Sequence, residues 1–356
     1  MNIILFTNSL DFGGASTFFV RLEEAFKKNN VKSSIVAFNS ERGNNQENLL
    51  QRSLKYRIKH LRNKCKENDT DTIITNYGLE TLVAKLSTIR LRKRVKIISV
   101  VHVRSFMWIP ESMNFIKKII FKFLIKLSFK ICNKCVAVSN DLKEELIKEK
   151  WVNKNKIVTI YNPVIQDEFN GKIRTIEKGQ EINLAIVGWI WDIKNQEEAI
   201  KAIHQLNDNR YKLHIIGGIK DQKYYDNLVK LIKELNLEGQ VIFKGIKKDI
   251  FKELEKIDIL LLTSKTEALP TVIIEALACG IPVIASNCEV GPREILDCGK
   301  FGFICDDNRM IPKYIDKLVE DKDRYKELSY ISMYRAKEFT YSRAVNKYTD
   351  LINNLN

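Results

Sequence analysis

Short apolar runs recur along this chain of 356 residues, separated by longer stretches in which apolar positions return every three or four residues. Met1-Asn-Ile-Ile-Leu-Phe6 opens the series, and Val95 to Val101 and Cys135-Val-Ala-Val-Ser139 continue it. Leu184 to Val187, Leu213 to Ile216, Val241 to Phe243, Ile259 to Leu262 and Val283 to Ala285 follow. A run without polar alternation suits a strand buried on both faces, and the helical stretches between supply the crossovers that parallel strands require. The pattern predicts an α/β protein built of repeated βαβ units. Polar punctuation at Tyr161-Asn-Pro163 and from Asn170 to Gly179 divides it. We expect a first domain over residues 1–165, a second over 166–340, and a last segment, 341–356, holding a helix from about Ser342 to Asn353. Each half is long enough to bury a core of its own. No charged leader precedes the first strand, and no stretch approaches about 18 uninterrupted apolar residues, so the expectation is an intracellular protein without a spanning helix.

One stretch carries chemistry. Ile257-Asp-Ile-Leu-Leu-Leu262 reads as a buried strand, a loop holding Glu267 follows, and Pro270, with its fixed φ and missing amide hydrogen, suits the first turn of a helix running to about Cys279, where Gly280 ends it. Loops after parallel strands that lead into a helix N-terminus are where open α/β sheets bind ligands, and the free amides of Thr271 and Val272 suit phosphate oxygens. Glu267 and Glu275 would repel phosphate, so their natural partners are neutral hydroxyls, such as those of a sugar or ribose. A solvated or capping role on an exposed helix face is the alternative for Glu275, and its burial decides between the two.

Glu267 and Glu275, with seven residues between them, followed by Ala-Leu-Ala-Cys-Gly-Ile-Pro-Val-Ile-Ala, resemble the E-x7-E signature of the retaining glycosyltransferases of family four. Ala185-Ile-Val-Gly188 with Lys194-Asn-Gln resembles that family's first donor-domain strand and phosphate-binding lysine, and Leu213-His-Ile-Ile-Gly217-Gly218 its next strand and glycine turn. Val241-Ile-Phe-Lys-Gly245 and Gly291-Pro-Arg-Glu-Ile-Leu296 fall in the family's order, as does Cys135 to Ser139 before Ile160-Tyr-Asn-Pro163. The resemblance implies the GT-B fold, two Rossmann-like domains facing each other across a deep cleft. It also implies transfer of a hexosyl or N-acetylhexosaminyl unit from a UDP-sugar with retention of configuration. On this reading Glu267 orients the hexose, Glu275 the ribose, and Lys194 with the helix-terminal amides stabilises charge on the departing diphosphate. Gly188, Gly217 and Gly245 line the donor side. No Asp-x-Asp pair stands in a suitable loop, so neither metal nor resident cofactor is expected, and the resemblance implies that the leaving phosphate itself takes the acceptor proton.

In the first domain, Asp11-Phe-Gly13-Gly14-Ala-Ser-Thr17 offers small residues that let backbone amides approach a phosphate, or a plain turn; by resemblance Gly13 and Gly14 belong to the family's glycine loop. Ser16 stands where that loop carries glutamate. His102, at the end of the strand Val95 to Val101, is either a structural residue or, by its place in the family pattern, a sugar or catalytic contact, with Arg104 a weaker neighbour. Trp189 is the largest departure: the family commonly carries Gly-Arg where this chain has Gly188-Trp189, so a bidentate phosphate clamp is missing.

Charge is unevenly placed. Up to Ile165 the balance is +16, and thereafter −1, within a total of +15. Phe115 to Lys130 carries Lys118, Lys122, Lys126 and Lys130 at intervals of four among apolar and aromatic residues. Such a helix can lie in an anionic membrane interface or pack into a core with a solvated lysine edge, and the asymmetry of charge favours the membrane. The implied acceptor is then a lipid-linked glycan, carried on polyprenyl diphosphate at the cytoplasmic face and used in surface polysaccharide assembly. No nucleic-acid-binding motif accompanies the basic residues, and nucleic acid is not an expected partner. The seven cysteines suit reduced thiols, and Cys132-Asn-Lys-Cys135 lacks the second pair a structural zinc needs. A nucleotide-sugar epimerase of the same architecture, needing no acceptor, and a noncatalytic basic adaptor remain as alternatives.

Overall fold

The computed structural model describes residues 1–10, 14–39, 49–104, 113–288 and 290–355. The chain forms two compact units, Met1–Asp167 together with Phe339–Asn356, and Glu168–Glu338.

The first unit runs β1 (Asn2–Ser9), α1 (Gly14–Lys28), β2 (Lys32–Asn39), α2 (Leu54–Glu67), β3 (Thr72–Asn76), α3 (Leu79–Thr88), β4 (Lys96–Val101), α4 (Phe115–Ile131), β5 (Lys134–Ala137), α5 (Asn140–Lys148) and β6 (Ile157–Thr159). Its strands pair in parallel in the order β2-β1-β3-β4-β5-β6. The central strands are apolar because helices cover both faces: Ile4, Leu5, Ile73, Ile74, Ile97 and Ile98 are fully buried. Helix starts follow side-chain caps, as at Ser139, whose hydroxyl accepts from the Leu142 amide at 3.2 Å. The last helix, Tyr341–Asn353, returns to this unit. The amides of Val164 and Ile165 donate to the Phe339 carbonyl and that of Tyr341 to Ile165, which carries the unit's edge two residues past the expected boundary. Tyr348 is buried against Phe26.

The second unit runs β7 (Ile182–Val187), α6 (Gln196–Leu206), β8 (Tyr211–Ile216), α7 (Gln222–Glu234), β9 (Val241–Gly245), α8 (Ile250–Leu254), β10 (Ile259–Leu262), α9 (Thr271–Ala278), β11 (Val283–Ser286), α10 (Pro292–Ile295), β12 (Phe303–Cys305), α11 (Ile311–Glu320) and α12 (Lys322–Ala336), so that the returning helix is α13. Its parallel sheet has the order β12-β11-β10-β7-β8-β9. The chain winds outward from β7 through β8 to β9, then comes back to lay β10 on the other side of β7. The loops after β7 and β10 therefore diverge, and the crevice between them is the sheet's switch point, where ligands of open α/β sheets bind. In the first unit the same reversal falls between β1 and β3.

Among the described residues, the buried positions of helix α4 lie at its C-terminal end. Ile125, Ser128 and Phe129 are buried, and the Gly78 amide donates to Ser128 Oγ at 3.0 Å. Phe115, Ile116, Ile119, Ile120 and Phe123 are 52 to 76 % exposed, which does not fit a core helix with a solvated edge. Among the described residues no helix is long and apolar enough to cross a membrane.

Candidate active site

The second sheet's switch point holds an ion pair. Lys194 closes a single 3-10 turn after β7, and Asn195, left-handed at φ 52°, turns the chain into α6. The Lys194 carbonyl accepts from Thr263 Oγ1 at 3.0 Å, tying this turn to the end of β10. The Lys194 ammonium then meets Glu267 Oε1 at 2.6 Å, with the two side chains 22 % and 11 % exposed. Glu267 lies on the loop between β10 and α9. A second pair at the rim, Lys265 to Asp192 at 2.6 Å, holds the same two loops together.

Helix α9 begins at Thr271, with Pro270 as its N-cap rather than its first helical residue, a shift of one position. Pro270 offers no side-chain cap, and the amides of Thr271 and Val272 lie in the first turn, at the end of the helix that faces the crevice. Glu275 is 5 % exposed, which excludes the solvated-face role. Gly188 ends β7 and Gly217 ends β8, and a Cβ on Gly217 would lie 1.9 Å from the Gly188 carbonyl oxygen, so only glycine lets these strand ends close. Gly245 ends β9, its amide neighbourhood joined to this turn by the Gly217 amide donating to the Gly245 carbonyl at 3.0 Å. The structure thus brings Lys194, Glu267, Glu275, Thr271, Val272, Gly188, Gly217 and Gly245 to the C-terminal edge of one sheet.

In the first unit, Gly13 lies outside the described residues. Gly14 is the first residue of α1 and is exposed, with no described atom within 4 Å of a Cβ placed on it. His102 follows β4 and is half-buried, with both ring nitrogens out of contact with solvent; the ring packs on Phe18 with centroids 4.4 Å apart, and neither nitrogen has a hydrogen-bond partner among the described residues. Burial pushes its pKa down to about 3, so the imidazole is neutral. Arg104 is no free neighbour: its Nε donates to Glu145 Oε2 at 2.8 Å on α5, with both side chains nearly buried.

Residues 12–168 match the family described as Glycosyltransferase Family 4, and residues 167–333 match the one described as Glycosyl transferases group 1. The chain belongs to the family 4 glycosyltransferases. Among curated relatives of this glycosyltransferase, the Salmonella typhimurium O-antigen chain mannosyltransferase RfbU is 31 % identical over 241 residues, 67 % of this chain and 64 % of that one. The Campylobacter jejuni N-acetylgalactosamine-N,N'-diacetylbacillosaminyl-diphospho-undecaprenol 4-alpha-N-acetylgalactosaminyltransferase is 25 % identical over 286 residues, 80 % of this chain and 74 % of that one. Among solved structures, Anabaena HepE in complex with UDP superposes with a TM-score of 0.79 at 17 % identity, covering all of both chains, and shares the fold. The glycosyltransferase accordingly has the two-domain GT-B architecture, each unit a parallel six-stranded Rossmann-like sheet.

Two residues of this glycosyltransferase escaped sequence reasoning. Arg174, in the polar connector, donates to the carbonyls of Cys279 at 3.1 Å, Ile257 at 2.9 Å and Glu255 at 2.9 Å, fixing the back end of α9. Glu80, near the start of α3, accepts from the Asn8 amide at 3.0 Å at the first sheet's switch point, while its other oxygen is buried without a partner among the described residues. Burial pushes its pKa up to about 7. An acidic residue in a first helical turn looks like dipole compensation in sequence, and nothing local marked Glu80 as buried. The pair Cys132 and Cys135 spans the junction of α4 and β5 with Sγ atoms 3.4 Å apart.

Proposed function

We propose that the protein transfers a hexosyl or N-acetylhexosaminyl unit from a UDP-sugar, with retention of configuration and without metal, to a polyprenyl-diphosphate-linked glycan during surface polysaccharide assembly. The observation that carries this reading is the contact of Lys194 with Glu267 beside the first turn of α9, whose N-cap, Pro270, has no side-chain acceptor. It sets a cation and backbone amides, suited to a diphosphate, next to a carboxylate suited to sugar hydroxyls. On donor binding, Lys194 turns from Glu267 to the diphosphate and Glu267 is released to orient the hexose. Charge growing on the leaving phosphate is met by the ammonium and the amides of Thr271 and Val272, and that phosphate takes the acceptor's proton. The UDP bound by HepE and the undecaprenol-linked substrate named for the Campylobacter relative support the choice of donor and acceptor classes. The exposed apolar face and lysines of α4 support an acceptor met at an anionic membrane surface, on the cytoplasmic side.

The test is incubation with a panel of nucleotide sugars and a polyprenyl-diphosphate glycan in vesicles, read by mass spectrometry and anomeric NMR. The expected product is the acceptor lengthened by one sugar in the donor's anomeric configuration. Isomerisation of the nucleotide sugar in the absence of acceptor would favour an epimerase, and inverted configuration would overturn the mechanism.

A further inference from the structure

The switch-point crevice has two unlike halves. On the β10 side stand Lys194 and Glu267. From the same turn after β7, Trp189 goes the other way, over the ends of β8 and β9. A Cβ built on Gly218 would lie 2.6 Å from Trp189 Cζ3 and 2.9 Å from Ile246 Cδ1, so the indole edge and the Ile246 side chain rest together on a bare glycine backbone. The Trp189 main chain is held in place, its carbonyl accepting from Gln196 Nε2 at 3.0 Å. Ile246 remains 50 % exposed and Ile219 44 % exposed, and no heavy atom lies within 4 Å of a Cβ position at Gly245. One cation stands close by: the Lys220 amide donates to the Ile190 carbonyl next to Trp189, and Lys220 Nζ sits 3.6 Å from the Trp191 ring centroid. An apolar, aromatic shelf with room above it and a cation nearby suits a planar heterocycle carrying phosphate.

We propose that Trp189, seated on Gly218 beside Ile246, is the stacking platform for the nucleobase of the donor. The inference rests on the nucleotide-sugar reading above and adds to it the residue that grips the base. It also accounts for the missing arginine: the side chain at position 189 contributes base stacking in place of a phosphate contact, and the diphosphate depends on Lys194 and the amides of α9.

The experiment is calorimetric titration of the full-length protein, of Trp189→Ala and of Trp189→Phe with UDP, UMP and inorganic pyrophosphate, with thermal melting to confirm that the variants fold. Stacking predicts that Trp189→Ala weakens UDP and UMP at least about tenfold while Trp189→Phe retains most of the affinity. Pyrophosphate, which has no base, should bind all three proteins alike. Unchanged UDP affinity in Trp189→Ala, or an equal loss for pyrophosphate, would overturn the inference while the donor site stands. Failure of the unmodified protein to bind UDP, UMP or any other nucleoside diphosphate would overturn both readings.

Discussion

Lys194 and Glu267, 73 residues apart in sequence, meet at 2.6 Å between the diverging loops of the second sheet. Each neutralises the other in a site that would otherwise hold one uncompensated charge. If the ammonium stabilises the departing diphosphate, Lys194→Ala should lower kcat by about 10²-fold to 10³-fold, the scale seen when a donor to a developing charge is removed. Lys194→Arg should recover part of this. Steady-state kinetics with the donor found by the nucleotide-sugar panel gives the answer, and a change in KM alone would assign Lys194 to ground-state binding.

The exposed face of α4 predicts co-flotation with vesicles rich in anionic lipid and little with neutral ones. Replacing Phe115, Ile119 and Phe123 together by serine should abolish flotation without lowering the melting temperature, because these side chains are 52 to 76 % exposed. Raising the salt should weaken binding by screening Lys118, Lys122 and Lys126, and should do so before the apolar contribution fails.

His102 and Glu80 give the first unit opposed responses to pH. Unfolded, the imidazole gains a proton as the pH falls through 6.5, whereas folded it resists until about 3. Its contribution to stability is whole above 6.5 and is lost toward 3, at about 1.4 kcal/mol per pH unit. Folded, the Glu80 carboxyl keeps its proton up to about 7, while unfolded it releases it near 4.5. That contribution is whole below 4.5 and is lost as the pH rises through 7. Between about 4.5 and 6.5 the two slopes cancel. Urea titrations in this window should show Glu80→Gln losing stability on acidification and His102→Leu gaining it, and parallel profiles would refute the assignment.

Arg174→Ala should cost about 3 kcal/mol, since it strands four carbonyls, those of Cys279, Ile257, Glu255 and, at 3.4 Å, Leu254, that now accept from one guanidinium. Arg174→Lys should recover little, because an ammonium cannot reach four acceptors in a fork. The urea midpoint of the second unit's transition measures it.

Of the seven cysteines only Cys298 is exposed. A thiol reagent should modify one group rapidly in the native protein and all seven after unfolding. Two fast thiols would place a second cysteine at the surface.

Much of the fold could be read from sequence, because strands buried on both faces are written as unbroken apolar runs, as in Ile259 to Leu262, and because Glu267 and Glu275 flank a helix start at a fixed spacing. The exposure of α4 was foreshadowed by lysines at intervals of four. What escaped were properties that no local pattern encodes. His102 lies in an apolar pocket formed with Phe18 on another element, and the imidazole's type alone suggested a polar contact. The Glu80 carboxyl is taken out of solvent by a strand remote in sequence, its Oε1 accepting from the Asn8 amide of β1. The direction of Trp189 follows from Gly218, 29 positions on in the numbering, which is visible only once β7 and β8 are side by side.

The segment joining the two units is no spacer. Gly171 passes so close to the end of α9 that a Cβ there would lie 2.0 Å from the Ala278 carbonyl oxygen, and Arg174 grips the same end three residues later. Anyone cutting the chain to obtain the second unit alone must therefore divide it ahead of Glu168. A fragment begun at the first strand of that sheet would leave behind the strap that seats the donor helix, and a loss of nucleotide binding in it would report on the cut.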